Sequence, residues 1–287
     1  RSFTGRAFPV SVGIPFSQSE ATLKTRLQGA FKSTGESLLT QSSPLAFWPD
    51  GSIRWLLVRF IVPAGETPNG TIELRQGSGN TPSEAQAKES QTDQNPQLRI
   101  QVGNTTYEFS PEVAGWTQRS SNANHITSEQ IHLTLTGANG ETCAPQLNSW
   151  KVLEQGEVCT RVQTDGSVDS DQGSGVFNVR ITFTLYKSGL IAVRTRLHNP
   201  QRARHPGGLW DLGDPGSLHF QSLTLHLKTD TASTTWLKPV HDQADYFEGG
   251  TLAIHQESSG GDNWNSTNHQ AANGQITPQW QGYRCEG

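Results

Sequence analysis

Apolar and polar positions alternate with a period of two through most of this chain, the spacing that puts every second side chain on one face of a strand. Near the start, Phe8, Val10, Val12 and Ile14 are separated by small or polar residues, and Pro15 closes the run. The segment TLKTRLQGAF fits a strand or a short helix equally well. Ile53 to Val62 is apolar on both faces after Trp55, which predicts a central strand covered on both sides. Before it, Trp48-Pro49-Asp50-Gly51 predicts a turn, with Pro pre-set for the second position and Gly free to take positive φ. GTIELRQ is another strand candidate.

Further hairpins are predicted around Gly103-Asn104, Gln155-Gly156 and Ser188-Gly189. Before the last of these turns, Val179, Ile181, Phe183 and Leu185 form one apolar face, continued after it by Ile191, Val193 and Leu197. Ile131, Leu133 and Leu135 alternate with His132 and Thr134, and Leu223, Leu225 and Leu227 alternate with Thr224 and His226, so both histidines sit on polar faces. No segment carries a helix cap followed by an apolar stripe, and no repeat is evident. The expected fold class is all-β, with the clean inward and outward faces of an antiparallel β-sandwich.

Composition agrees. Of 287 residues, 29 are Gly and 15 are Pro, while hydrophobic residues make up 32%. Many short strands joined by turns have this profile. Residues 77–97 are almost wholly polar and cannot offset the entropy of ordering by burial, so they form either a long surface loop or, the favoured expectation, a domain boundary between residues 1–95 and 96–287. No apolar stretch is long enough to span a bilayer, and a net charge of −4 argues against a nucleic-acid partner. Five arginines between Arg180 and Arg204 are a local exception. An N-terminal arm, RSFTGRAFPV, permits self-association by strand donation.

The densest chemistry falls between Asn199 and Ser217. This connection is long for a sandwich, stiffened by Pro200, Pro206 and Pro215, and holds Arg202, Arg204, His205, Trp210, Asp211 and Asp214. Imidazole and carboxylates on a rigid loop suit acid–base work or a hard cation such as Ca²⁺, although no ligand spacing identifies a metal. Turn chemistry and internal Arg–Asp pairing would account for the same residues structurally. Towards the C-terminus, Trp264 stands among Asn and Asp, a setting suited to stacking on a sugar ring; Trp236 and Trp280 also lie in this part. Asn69, Asn104 and Asn265 occupy glycosylation sequons, which arise easily by chance in so polar a chain. Cys143 and Cys159 flank Trp150; oxidised, they would close a short loop and stabilise by about 3 kcal/mol, leaving Cys285 over.

Two motifs are long enough to compare with a known family. VGIPFSQ with AFWPDGSIRWLLVRF near the start, and HNPQRARHPGGLWDLGDPGS downstream, resemble the fungal rhamnogalacturonan exolyase and its bacterial relatives. The resemblance implies a small RIFT-type β-barrel over residues 1–95 and a central β-sandwich over 96–287. The family's C-terminal helical toroid has no counterpart in the sequence, so the chain is expected to be either a piece of such an enzyme or a relative using its β-domains otherwise. What the family implies is secretion and β-elimination on an acidic polysaccharide. A base removes the C5 proton of a uronate, a positive group neutralises the carboxylate, and an acid protonates the leaving oxygen. His205, Arg202, Arg204, Asp211 and Asp214 have suitable side chains and are the catalytic candidates, with Trp210 and Trp264 as candidate sugar-binding residues. The rival expectation is a non-catalytic extracellular protein that binds carbohydrate or serves a structural role on the same two domains.

Overall fold

The computed structural model describes residues 7–65, 71–77, 88–90, 97–109, 115–120, 126–170, 173–201, 218, 220–229, 234–237, 245–248, 253–255 and 284–286. Among them every regular element is a strand, and no helix is long and apolar enough to cross a membrane. The chain divides into two compact units: Arg1–Ile126 with Leu147–Asp165 and Arg180–Arg196, and Thr127–Gln146 with Gly166–Val179 and Leu197–Gly287. The expected boundary at residue 95 lies outside the described residues.

The first unit opens with strands β1 (Phe8–Pro15), β2 (Leu27–Phe31), β3 (Thr40–Phe47), β4 (Ile53–Val62) and β5 (Ile72–Gln76). Strand β4 lies between β1 and β3, and β2 pairs with β5, all antiparallel. TLKTRLQGAF, ambiguous in the sequence, supplies β2 after a turn in which the Thr25 amide donates to the Thr22 carbonyl. Leu56, Val58, Phe60 and Val62 alternate along β4 and fill one core with Phe31, Leu38 and Ile53. The predicted turn before β4 forms: Gly51 takes φ 81° and its amide donates to the Trp48 carbonyl. Asp50 accepts hydrogen bonds from both the amide and the hydroxyl of Ser52, which hold its carboxyl at about 2.

A meander follows, β6 (Lys88–Ser90), β7 (Gln97–Val102), β8 (Thr105–Phe109) and β9 (Gly115–Ser120). A second sheet contains β13 (Lys151–Gln155), β14 (Cys159–Ser170), β15 (Gly173–Tyr186) and β16 (Ile191–His198), in the order β14-β15-β16 with β13 paired to β14. Hairpins turn at all three predicted positions, Gly103 and Gly189 adopting φ 59° and 84°. Phe109 of β8, Phe183 of β15 and Trp150 stack mutually with ring centroids 5.1–5.5 Å apart, so the two sheets meet through their apolar faces as a β-sandwich. Val179, Ile181, Phe183 and Leu185 are all buried, as their alternation predicts. On β16 the apolar face is only partly covered, and Val193 is exposed, because that strand ends the sheet order.

In the second unit, β10 (Ile126–Gly137) pairs with β11 (Thr142–Cys143) and with β17 (Phe220–Thr229); the register sets His132 opposite His226. The disulfide expected between Cys143 and Cys159 is not formed: both are free thiols. Cys143 stands opposite Leu135 in β11, while Cys159 opens β14, in a different sheet and a different unit.

Candidate functional site

Two strand faces of the first unit border one cavity of 520 Å³, and neither belongs to a hydrophobic core. One is the outer face of β4 and its neighbours. Because Leu56, Val58 and Phe60 point into the core, the intervening Leu57 and Arg59 point away from it, joined by Ser11 of β1 and Leu45 of β3. The other is the outer face of β14-β15-β16, whose inner face carries Phe183 and Leu185. From it come Arg161, then Arg180, Thr182, Thr184 and Tyr186, then Arg194 and Arg196. Among the described residues five guanidinium groups therefore converge, and no carboxylate or imidazole joins them in the lining.

The five are held differently. Arg59 is buried; its Nη1 donates to Glu154 Oε1 at 2.5 Å, and Arg161 reaches the other oxygen of Glu154 at 3.6 Å. Glu154 also accepts from Gln41 Nε2 at 2.7 Å. Gln41 is itself fully buried, and its carbonyl oxygen receives the amides of Val158 and Cys159, each at 3.0 Å. One glutamine thereby fastens β3 to the β13–β14 hairpin. The approach is so close that a Cβ on Gly156 would collide with the Gln41 side-chain amide. Arg180 pairs with Asp165 at 2.5 Å, and Lys151 holds the second oxygen at 2.8 Å. Among the described residues, Arg194 and Arg196 have no carboxylate partner. They stand two apart on β16, so both face the cavity.

Burial pushes the Tyr186 phenol up, and it stays protonated near neutrality. Burial likewise pushes the Cys159 thiol to about 11, which makes it inert. Among the described residues no His, Cys, Asp or Glu side chains gather as a group of three able to hold a metal ion.

A scan against known families places the first strands. Residues 4–77 match the family described as PcRGLX-like N-terminal RIFT barrel domain. The β1–β5 assembly is therefore a RIFT barrel, and the match is consistent with the rhamnogalacturonan lyase-like family that the sequence motifs resemble. No curated protein and no solved structure matches the chain. The RIFT barrel contributes Ser11, Leu45, Leu57 and Arg59 to the cavity, and the sandwich contributes the rest.

The catalytic candidates Arg202, Arg204, His205, Asp211 and Asp214, the sugar-binding candidates Trp210 and Trp264, and the sequon residues Asn69 and Asn265 lie outside the described residues. Asn104 is described, exposed at the tip of the β7–β8 hairpin. The arginine density from Arg180 onwards is legible in the sequence, whereas its partners Arg59 and Arg161 are not. Their signal was position: each is the polar member of an alternating strand, on the face turned from the core.

Proposed function

We propose that the arginine-lined cavity binds an acidic polysaccharide of the rhamnogalacturonan type, within a lyase-like protein that cleaves it by β-elimination outside the cell. The observation that carries this reading is the pair Arg194 and Arg196, two cations aimed into a cavity with no acidic lining and no internal carboxylate among the described residues. A guanidinium fork matches a carboxylate bidentately, and neutralising a uronate is also what makes its C5 proton removable. Tyr186, protonated, is suited to donate a proton to the departing oxygen. His205, in the segment 199–217, is the candidate base, on the chemistry of that segment taken together with the resemblance.

A second reading is binding without cleavage. It is favoured by Tyr186 being, among the described residues, the sole ordinary acid–base side chain in the cavity lining. Titration with polygalacturonate, rhamnogalacturonan and a neutral galactan tests both. The expected result is binding to the acidic polymers alone, weakening as salt rises, with Arg194→Ala/Arg196→Ala lowering affinity about tenfold or more. Equal affinity for the neutral polymer, or an unaffected double variant, overturns the assignment. Growth of unsaturated-uronide absorbance during incubation selects cleavage; its absence with binding retained selects the second reading.

A further inference from the structure

The outer face of β4 changes character along its length. Arg59, Leu57 and Trp55 are successive residues on that face, at the period-two spacing of a strand, and lie opposite Ser11, Gly13 and Pro15 of β1. Arg59 is buried and charged and Leu57 half-buried, both lining the cavity, while Trp55, the next step out, is 41% exposed. The indole has a fixed seat. The nearest atoms to a Cβ placed on Gly13 would be Trp55 Cε3 and Cζ3, at 3.5 and 3.6 Å, so the ring packs where β1 has no side chain. Next to it the β3–β4 pairing shifts register at Leu45, between Pro44 and Ala46. That irregularity turns Leu45 outward, 56% exposed, and Leu45 also lines the cavity. An apolar shelf with a seated aromatic ring thus runs without a break into the arginine cluster.

We infer that Trp55 is a sugar-stacking platform, forming with Leu45 a subsite for a pyranose unit of the same acidic glycan whose carboxylate is held by the arginines. This deepens the reading given under Proposed function and rests on it. Three observations favour a saccharide. The apolar C–H face of a pyranose suits an exposed indole. The neighbouring cations suit a ligand that is anionic elsewhere along its length. Finally, Trp55 and Arg59 are four residues apart, about 13 Å along the strand, a span for a chain of several sugar units rather than one small anion.

The test measures affinity for acidic oligosaccharides of increasing length by calorimetry at several salt concentrations, for the wild-type chain, Trp55→Ala, Trp55→Phe and Arg194→Ala/Arg196→Ala. Trp55→Ala is expected to lose about tenfold in affinity for the longer oligosaccharides with an unchanged salt dependence, and Trp55→Phe to recover part of it. The arginine variant instead flattens the salt dependence. Because Trp55→Ala removes packing against β1, ligand-induced tryptophan fluorescence change in the wild type, diminished in Trp55→Phe, gives an independent readout. Wild-type binding that both Trp55 variants retain in full overturns the inference alone. So does a change in self-association without a change in affinity, which would assign the shelf to a protein contact. No acidic glycan binding by the wild type overturns the underlying reading and the inference with it.

Discussion

Glu154 serves two arginines at once and is nearly as buried as Arg59. A buried carboxylate between two guanidinium groups gives each cation a fixed direction. Arg194 and Arg196, with no such partner among the described residues, stay available to an external anion. Asp165 illustrates the balance in reverse. Burial pushes its carboxyl up, yet hydrogen bonds from Lys151, Arg180 and Gln163 outweigh that and hold it at about 2. Because the folded value lies below the ordinary 3.8, the stability it adds is complete above that value and is lost as pH falls towards 2. Asp165→Asn is expected to unfold at lower urea than wild type near neutrality, and the gap should close across that acidic window. A gap that persists unchanged below it would refute the ion-pair account. These pairings were not legible in the sequence, since Arg180 and Asp165 lie on different strands.

At the scale of elements, alternation identified β1 and β15, because a strand with one covered face must alternate, and turn residues identified the three hairpins. A run apolar on both faces identified β4 as central, although Trp55 on its outer face is exposed rather than covered. Alternation misjudged β16, whose apolar residues alternate as in a core strand but remain half-covered at the end of the sheet order. The β13–β14 hairpin was predicted from Gln155-Gly156, a turn signal; its tertiary reason was hidden. Gly156 leaves room for the buried Gln41 amide, which accepts from Val158 and Cys159. Gly156→Ala is therefore expected to destabilise the protein by about 1–3 kcal/mol, through overpacking rather than loss of the turn. Denaturant titration of Gly156→Ala beside Gly189→Ala, where a Cβ meets open space but φ is 84°, separates the two causes. A double-mutant cycle in which Gly156→Ala costs less in the Gln41→Ser background than in the wild type would identify Gln41 as the obstacle; an equal cost in both backgrounds would exclude it.

For the whole molecule, the free thiols give a direct check. Cys143 is partly buried and Cys159 fully so. A thiol reagent should label Cys143 in the folded protein and Cys159 only after denaturation, and peptide mapping reads both. A 143–159 crosslink recovered without added oxidant would contradict the structure. What the sequence by itself determined was the all-β class, the turns and the strands beside them, and the RIFT barrel motifs, while β2 stayed ambiguous and β9 went unmarked, since local alternation and turn residues act over a few positions. Only the tertiary structure decided that Arg59 and Arg161 share Glu154, that Arg194 and Arg196 join them at one cavity, and that Trp55 stands beside it. Which outward faces meet is set by strand order and long-range packing, on which a period of two is silent.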